Sequence, residues 1–262
     1  MFKIRGTISK KAYVIFAIVT FLLLFLAWTI AAKFELVDPI FLPSPGDVWA
    51  YVMKAAKDGS LWANTSISVI RIFWGVLFAI LVGVPLGILS GTFPVAEAII
   101  RPICEFVRYM PVPAFVPLVM VWVGIEENAK VLLLFIGIFF QLILMIADDA
   151  MSVSDDLLNS GYTLGATRWQ AITKIMIPAM MPRAFDTVRM MIGWAWTYLV
   201  VAEMVAANSG LGYMIIKAQR FLQTDIIFSG ILVIGLLGLV TDRIMFIISK
   251  RLFFWQEGKN NE

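Results

Sequence analysis

Two long stretches without a charged residue constrain this fold more than any other feature of the sequence. Residues 12–32 and 72–96 are apolar and contain no Asp, Glu, Lys or Arg. A helix needs about 20 such residues to cross the hydrocarbon core of a bilayer. Because 61% of the 262 residues are hydrophobic, a single soluble core would leave a large apolar surface in water. The sequence therefore predicts an all-α membrane protein.

Four further segments bring the predicted number of transmembrane helices to six. Residues 109–125 and 131–147 are shorter apolar runs, whereas 189–207 and 226–249 also carry ionisable residues. No polar block is long enough for a separate soluble domain. We therefore expect one transmembrane domain at 12–249, an N-terminal tail at 1–11 and a C-terminal tail at 250–262.

The basic residues are distributed unequally between the two sides of this six-helix arrangement. The inner side would hold Lys3, Arg5, Lys10, Lys11, Arg101, Arg108, Arg168, Lys174, Arg183, Arg243, Lys250, Arg251 and Lys259. The outer side would hold Lys33, Lys54, Lys57, Lys130, Lys217 and Arg220. Because Lys and Arg accumulate in cytoplasmic loops, we predict a multi-pass protein of the inner or plasma membrane with both termini in the cytoplasm.

Several kinds of chemistry lack their usual residues in this sequence. It contains no histidine and only one cysteine, Cys104, so haem, zinc and iron–sulfur sites lack ligands and no intrachain disulfide can form. We expect no catalytic residue and no metal site. The phosphate-binding pattern Gly-x-x-x-x-Gly-Lys-Ser/Thr is also absent, so any ATP must be hydrolysed by another subunit. Nothing in the net charge of +3 supports nucleic acid binding.

Residues of about 150–185 form the only sizeable cytoplasmic loop, which we predict to be a helix–turn–helix. Asp155 and Asp156 follow Ser154, and acidic residues suit the positive end of a helix dipole, so a short helix should begin there. It should stop at Gly165, because glycine readily adopts the left-handed conformation that ends helices.

A second short helix should follow that turn. Thr167 and Gln170 have the spacing of a capping box, which starts a helix, and Pro178 should end it. Helical spacing predicts that the two helices share one apolar face, formed by Leu158, Tyr162, Trp169, Ile172 and Met176. Arg168 and Lys174 should project elsewhere. That face could rest on the membrane interface or dock a partner protein.

Glu203 is the most informative single residue within the predicted helices. A carboxylate among apolar neighbours is costly in hydrocarbon, so it should face a cavity or a partner. It could gate a pathway, or it could make a structural hydrogen bond or reach the surface. Trp194, Trp196, Tyr198 and Met204 could line the same pathway, although aromatic residues in membrane helices also serve packing.

Other residues of the predicted helices favour structural roles. Arg71 and Arg189 lie near the ends of predicted helices, where basic side chains anchor orientation. A row of small residues at multiples of four predicts close helix packing: Gly75, Gly83, Gly87 and Gly91.

The loop also resembles a known signature. The loop is similar to the cytoplasmic loop of ATP-binding cassette (ABC) importer permeases. The similar pattern is Gly165, nine further residues and then Ile175-Met-Ile-Pro178. Residues 163–169 and 177–182, together with Phe41-Leu-Pro-Ser-Pro45, resemble the branch that includes taurine, aliphatic sulfonate and nitrate permeases. The similarity covers about residues 39–256. One departure is that Asn159, Ser160 and Gly161 stand where the signature has Glu-Ala-Ala.

The resemblance implies a type I ABC importer permease (MetI-like) fold with a cytoplasmic coupling helix–turn–helix. It implies a second permease copy, two ATPase subunits that hold ATP and Mg, and an extracytoplasmic solute-binding protein. The solute would be taurine, a sulfonate or nitrate, with pyrimidine precursors and bicarbonate as further options. The coupling residues would be Asp155, Asp156, Asn159, Gly161, Leu164, Gly165, Ala166, Thr167, Arg168, Trp169, Ile175 and Pro178. A secondary transporter is the alternative, but it would use midplane ionisable pairs and internal repeats.

Overall fold

The computed structural model describes residues 8–204 and 207–255, and these ranges are helical apart from their connections. Residues 1–7 and 256–262 of the predicted tails lie outside the described residues. The chain divides into two compact units, formed in the described ranges by residues 8–61 with 215–231, and by residues 62–204 and 207–214 with 232–255.

The first unit is built on α1 (Lys10–Lys33) and α2 (Pro45–Lys57). Trp28 of α1 stacks on Phe228 with ring centroids 5.8 Å apart, and its indole N–H donates to the Pro43 carbonyl at 3.0 Å. Ser44 and Asp47 form a capping box at the start of α2, where Pro45 occupies a position that needs no N–H. α1 thus closely matches the predicted first membrane helix.

The remaining described helices follow α2 in chain order. They are α3 (Ser60–Thr92), α4 (Pro94–Val107), α5 (Val112–Val123), α6 (Glu127–Met151), α7 (Asp155–Thr163), α8 (Arg168–Gln170), a π-helical segment (Ala171–Met176), α9 (Ile177–Met204), α10 (Leu211–Arg220) and α11 (Thr224–Leu252). The core of the second unit lies along α6 and α9, where Leu134, Ile138, Leu142, Met191 and Leu199 are almost completely buried.

The predicted glycine row joins α3 closely to α6. A Cβ atom added at Gly75 would lie 2.7 Å from the Leu134 Cβ, and one at Gly87 would lie 2.7 Å from the Ile146 Cβ. No real side chain tolerates such distances without movement of the neighbour. The predicted role of these glycines in close helix packing is therefore confirmed.

Four described helices are long and apolar enough to cross a membrane, namely α1, α3, α6 and α11. α4 and α5 together pass the same test but are bent by 101° at their junction, so the third span predicted at 109–125 corresponds to α5, the second half of a bent pair. α9 has 28 residues, about 42 Å at the helical rise, but it also carries Arg183, Asp186, Arg189 and Glu203. These helices are consistent with six spans.

Several predicted boundaries were wrong. The second span was expected at 72–96, but α3 begins at Ser60 and ends at Thr92. The fifth was expected at 189–207, but α9 begins at Ile177. Ionisable residues in the first turns of α9 hid its start, because hydropathy reports the lipid-facing part of a helix and not its full length.

Candidate coupling segment and buried ion network

The coupling segment, residues 154–178, begins with the predicted short helix. Asp155 and Asp156 occupy the first turn of α7, after Ser154 at the N-cap. The helix ends at Thr163, and Gly165 has φ +87°. Two hydrogen bonds close this end, from the Gly165 N–H to Tyr162 O at 2.9 Å and from the Ala166 N–H to Gly161 O at 3.0 Å. This is a Schellman motif, so the predicted stop at Gly165 is confirmed.

The predicted capping box at Thr167 is also present. The Thr167 hydroxyl accepts from the Gln170 N–H at 3.3 Å, and the Gln170 side chain accepts from the Thr167 N–H at 2.9 Å. Pro178, however, does not end this helix, so that prediction was wrong. The chain continues from Arg168 through the π-helical segment into α9.

The π-helical segment explains why Pro178 is tolerated. The Ile177 N–H donates to Ile172 O, five residues earlier, so the helix is wider than an α-helix just before the proline. A proline in a regular α-helix clashes with the carbonyl four residues before it, and a π-type turn changes this local geometry. The part of the coupling segment from Arg168 onward is therefore continuous with α9.

Gly161 holds α7 against this continuous helix. It is buried, and a Cβ atom added there would overlap the Ile175 side chain. Gly161 stands at the last position of the Glu-Ala-Ala signature, so its missing side chain allows an especially close approach of the two helices. Asn159 and Ser160, at the other two positions, are exposed.

The predicted apolar face of the coupling segment is split in the structure. Leu158, Tyr162, Ile172 and Met176 line a groove of about 450 Å³. Arg168 also lines this groove, although it was expected elsewhere. Trp169 is 72% exposed and does not line it, and neighbouring Leu164 is 89% exposed. The segment thus exposes Leu164 and Trp169, while its other large apolar side chains line the groove.

Glu203 lies in a buried hydrogen-bonded network rather than on an open surface. Its side chain is fully buried and accepts from Arg71 Nη1 at 2.8 Å, the Ser68 hydroxyl at 2.7 Å and the Gly212 N–H at 2.6 Å. Arg71 also donates from Nε and Nη2 to both oxygens of Glu127, at 2.6 and 2.7 Å. This geometry favours the structural alternative for Glu203.

Further contacts fasten the chain around residues 209–212 to the same network. Arg71 Nη1 donates to Ser209 O at 2.8 Å, and the Leu211 N–H donates to the Ser68 hydroxyl at 2.9 Å. Gly210 has φ +116°, and a Cβ atom there would overlap the Glu203 carboxylate. Lys130 Nζ donates to Glu127 at 3.0 Å, so two cations balance two carboxylates.

Sequence reasoning missed most of this network. Arg71 was expected to anchor orientation at the membrane surface, but only 2% of it is exposed. Ser68 and Glu127 were not singled out. Ser68 and Arg71 are three residues apart and so share a helix face, but no local pattern indicates that Glu203 lies opposite them. Arg189 pairs with Asp242 at 2.5 Å, where an anchoring role had also been expected.

The predicted aromatic group is divided between two environments. Trp194 and Tyr198 line a cavity of about 280 Å³. Trp196 instead lies in the core, 5% exposed, and its indole N–H has no hydrogen-bond acceptor among the described residues. Met204 is exposed at the end of α9. Residues two apart lie on nearly opposite helix faces, which separates Trp196 from its two neighbours.

The fold and the coupling segment define a class of protein. It is a multi-pass helical membrane domain in which one long helix, α9, is continuous with a helix–turn–helix that exposes large apolar side chains. Within the described ranges, no group of three or more Cys, Asp or Glu residues could hold a metal ion.

Comparison with known proteins specifies this class. Residues 83–254 match the family of binding-protein-dependent transport system inner membrane components, and the chain belongs to that family. It is a non-catalytic permease subunit of an ABC importer, as its resemblance to these permeases predicted. This assignment decides against the secondary transporter.

Curated relatives support the predicted branch. The chain is 32% identical to the taurine transport system permease protein TauC of Escherichia coli (strain K12), over 97% of this chain and 93% of TauC. It is 30% identical to the putative aliphatic sulfonates transport permease protein SsuC of Bacillus subtilis (strain 168), over 87% and 83%. It is 28% identical to the bicarbonate transport system permease protein CmpB of Synechocystis sp. (strain PCC 6803), over 92% and 87%.

Solved structures share the fold. The fold of this chain is similar to an inward-facing form of the MetNI methionine ABC transporter, with a TM-score of 0.60 and 19% sequence identity. The match covers 73% of this chain and 94% of the matched transporter chain. An amino acid ABC transporter solved with histidines matches 76% and 97% with a TM-score of 0.62 and 13% identity. The predicted MetI-like fold is confirmed.

Proposed function

We propose that the coupling segment receives an ATPase subunit and transmits its motion along α9. The uninterrupted helical run from Arg168 to Met204 is the observation that carries this proposal. Because the Gly161–Ile175 contact and the Schellman motif hold α7 to that run, a push on α7 is passed to α9 as a rigid-body movement. The outward side chains of Leu164 and Trp169 provide apolar contacts for the partner.

The complete importer would contain two permease copies, two ATPase subunits and an extracytoplasmic binding protein. This chain binds no cofactor in the proposal, since ATP and Mg belong to the ATPase subunits. Both termini and the coupling segment would lie in the cytoplasm, in agreement with the excess of basic residues predicted for that side. The buried Arg71–Glu203 network would then lie near the opposite surface, at the far end of α9.

The proposed solute is a small sulfonate such as taurine. Support comes from the taurine and aliphatic sulfonate permeases among the relatives, although the bicarbonate permease shows that this fold also serves an inorganic oxyanion. Small oxyanions therefore form the common class.

Replacement of Gly165 tests the coupling proposal. Gly165→Val places a β-branched residue at φ +87°, which strains the backbone by about 1–3 kcal/mol. We expect normal membrane insertion but reduced ATPase co-purification and reduced uptake. Gly235→Val, at a helical glycine with open space around it, is the matched control. Full ATPase recovery and uptake in the Gly165→Val protein would refute the docking role.

A further inference from the structure

A second feature of the membrane domain is the cavity of about 280 Å³ at the junction of α4 and α5. The side chains that give it polar character are Arg108, Tyr109, Gln141, Trp194 and Tyr198. Its remaining walls are apolar residues of α4, of the α4–α5 connection, of α5 and of α6. The cavity therefore offers one cation, one amide, two phenols and one indole, and it is open at Arg108 and Tyr109, which are exposed.

This cavity lies beside the middle of α6, a helix that is long and apolar enough to cross a bilayer. Arg108 Nη1 lies 3.5 Å from Gln141 Oε1, and Gln141 is close to the midpoint of α6. With 25 residues, α6 is about 37 Å long and spans the hydrocarbon core of about 30 Å. Arg108 had been expected in an inner loop. The preceding residues instead form α4, a helix of 14 residues that packs against α6.

Three arginines of this domain form ion pairs, and Arg108 differs from them. Arg71, Arg101 and Arg189 each pair with at least one carboxylate. Among the described residues, none forms a salt bridge with Arg108, and no Asp or Glu lines the cavity. An arginine at this depth is costly unless a cavity or a partner compensates its charge.

The contacts of Arg108 orient it without neutralising it. Nη2 donates to the Tyr109 hydroxyl at 2.9 Å, and the guanidinium lies 4.8 Å from the centroid of the same ring. The hydrogen bond to Gln141 is long, so Nη1 can exchange it for a stronger acceptor. A guanidinium held on an aromatic face with free donors is suited to an oxyanion.

We propose that this cavity is a mid-membrane binding station for the transported solute, which is a small organic oxyanion. The sulfonate or carboxylate group would bind Arg108, with the Gln141 amide as a second donor. Trp194 and Tyr198 would contact the short carbon chain or an ammonium group of the solute. The volume admits a molecule of a few heavy atoms, below the usual 300–1,000 Å³ of drug-sized sites. This inference rests on the proposed import of small oxyanions.

The test uses the complete importer in liposomes, with its ATPase and binding protein, and radiolabelled taurine as the probe. We expect Arg108→Gln to lower the taurine taken up per ATP hydrolysed by about tenfold or more, because a charge-assisted hydrogen bond is lost. Arg108→Lys keeps the charge and should retain more of this ratio. Arg243→Gln is the matched control, since Arg243 also lies over an aromatic ring, 5.2 Å from the Phe246 centroid, but outside the cavity.

The outcomes separate the two proposals. If the unaltered complex imports neither taurine nor any other small oxyanion, the proposed solute class is wrong. If it imports taurine and Arg108→Gln has the same uptake per ATP as Arg243→Gln, the binding station is refuted. Should Arg108→Gln not be recovered from membranes, Gln141→Leu removes the second donor and keeps the charge. Unchanged uptake per ATP in that protein would also overturn the proposal.

Discussion

Removal of one charge from the Arg71–Glu203 network should destabilise the protein strongly. Arg71→Met leaves the carboxylates of Glu203 and Glu127 without their shared partner, and the Glu203 side chain is 0% exposed. Loss of one member of a buried ion pair costs about 3–5 kcal/mol. Glu203→Gln should cost less, about 1.5–3 kcal/mol, because Arg71 keeps both of its hydrogen bonds to Glu127.

The double variant makes this prediction specific. If the two side chains stabilise the protein through each other, Arg71→Met with Glu203→Gln should cost less than the sum of the single changes. The difference should be about 0.5–3 kcal/mol, the coupling range for groups in one network. Arg101→Met is the matched control, since its three carboxylate partners and its own side chain are partly exposed and such pairs contribute about 0–1 kcal/mol.

Thermal unfolding of the purified permease in detergent measures these effects. A loss of 1 kcal/mol lowers the Tm of a domain of this size by about 2–4 °C, so Arg71→Met should lower it by about 6–20 °C. Additive effects of the two changes, or equal effects of Arg71→Met and Arg101→Met, would refute the coupled network. Uptake at a temperature where the Glu203→Gln protein is folded should remain, because all the contacts of Glu203 are with other residues of the protein and we expect them to stabilise its structure.

Two glycine contacts lead to further predictions. Gly87→Leu would drive a side chain into Ile146 and destabilise the protein by about 1–3 kcal/mol through overpacking. Its Tm should therefore be lower than that of the control Gly193→Leu, because Gly193 has open space around it. Equal Tm values for the two variants would contradict the close contact of α3 with α6. Gly161→Leu should separate α7 from Ile175 and reduce ATP-driven uptake without loss of membrane insertion. Normal uptake by the Gly161→Leu protein would show that α7 need not be held rigidly.

Local features of this protein were predictable from the sequence. The first membrane helix was expected at 12–32 and is observed at Lys10–Lys33. The Thr167 capping box and the helix stop at Gly165 were also correct. Each depends on residues within a few positions of one another, where apolar runs, hydroxyl caps and a glycine with positive φ have direct physical consequences.

Features that depend on distant contacts were not predictable. Pro178 was expected to end a helix, but the preceding π-helical segment accommodates it, and no residue pattern indicates such a segment. Arg108 lies at the 101° bend between α4 and α5, where it contacts Gln141 of α6, and no local pattern indicates that bend. Arg71 meets a carboxylate 132 residues away, and that meeting follows only from tertiary packing.

The docking of an ATPase on the coupling segment is the central claim, and cysteine cross-linking tests it most directly. Cys104 is the only cysteine, so a Cys104→Ser background allows a single thiol to be placed at Leu164, which is 89% exposed. In membranes containing the whole importer, we predict that Leu164→Cys cross-links to the ATPase subunit and that the yield changes with ATP. Ile125→Cys, which lies just before α6 and so at the end of that helix away from the coupling segment, should give no such product. Cross-linking to the ATPase from Ile125→Cys but not from Leu164→Cys would contradict the account.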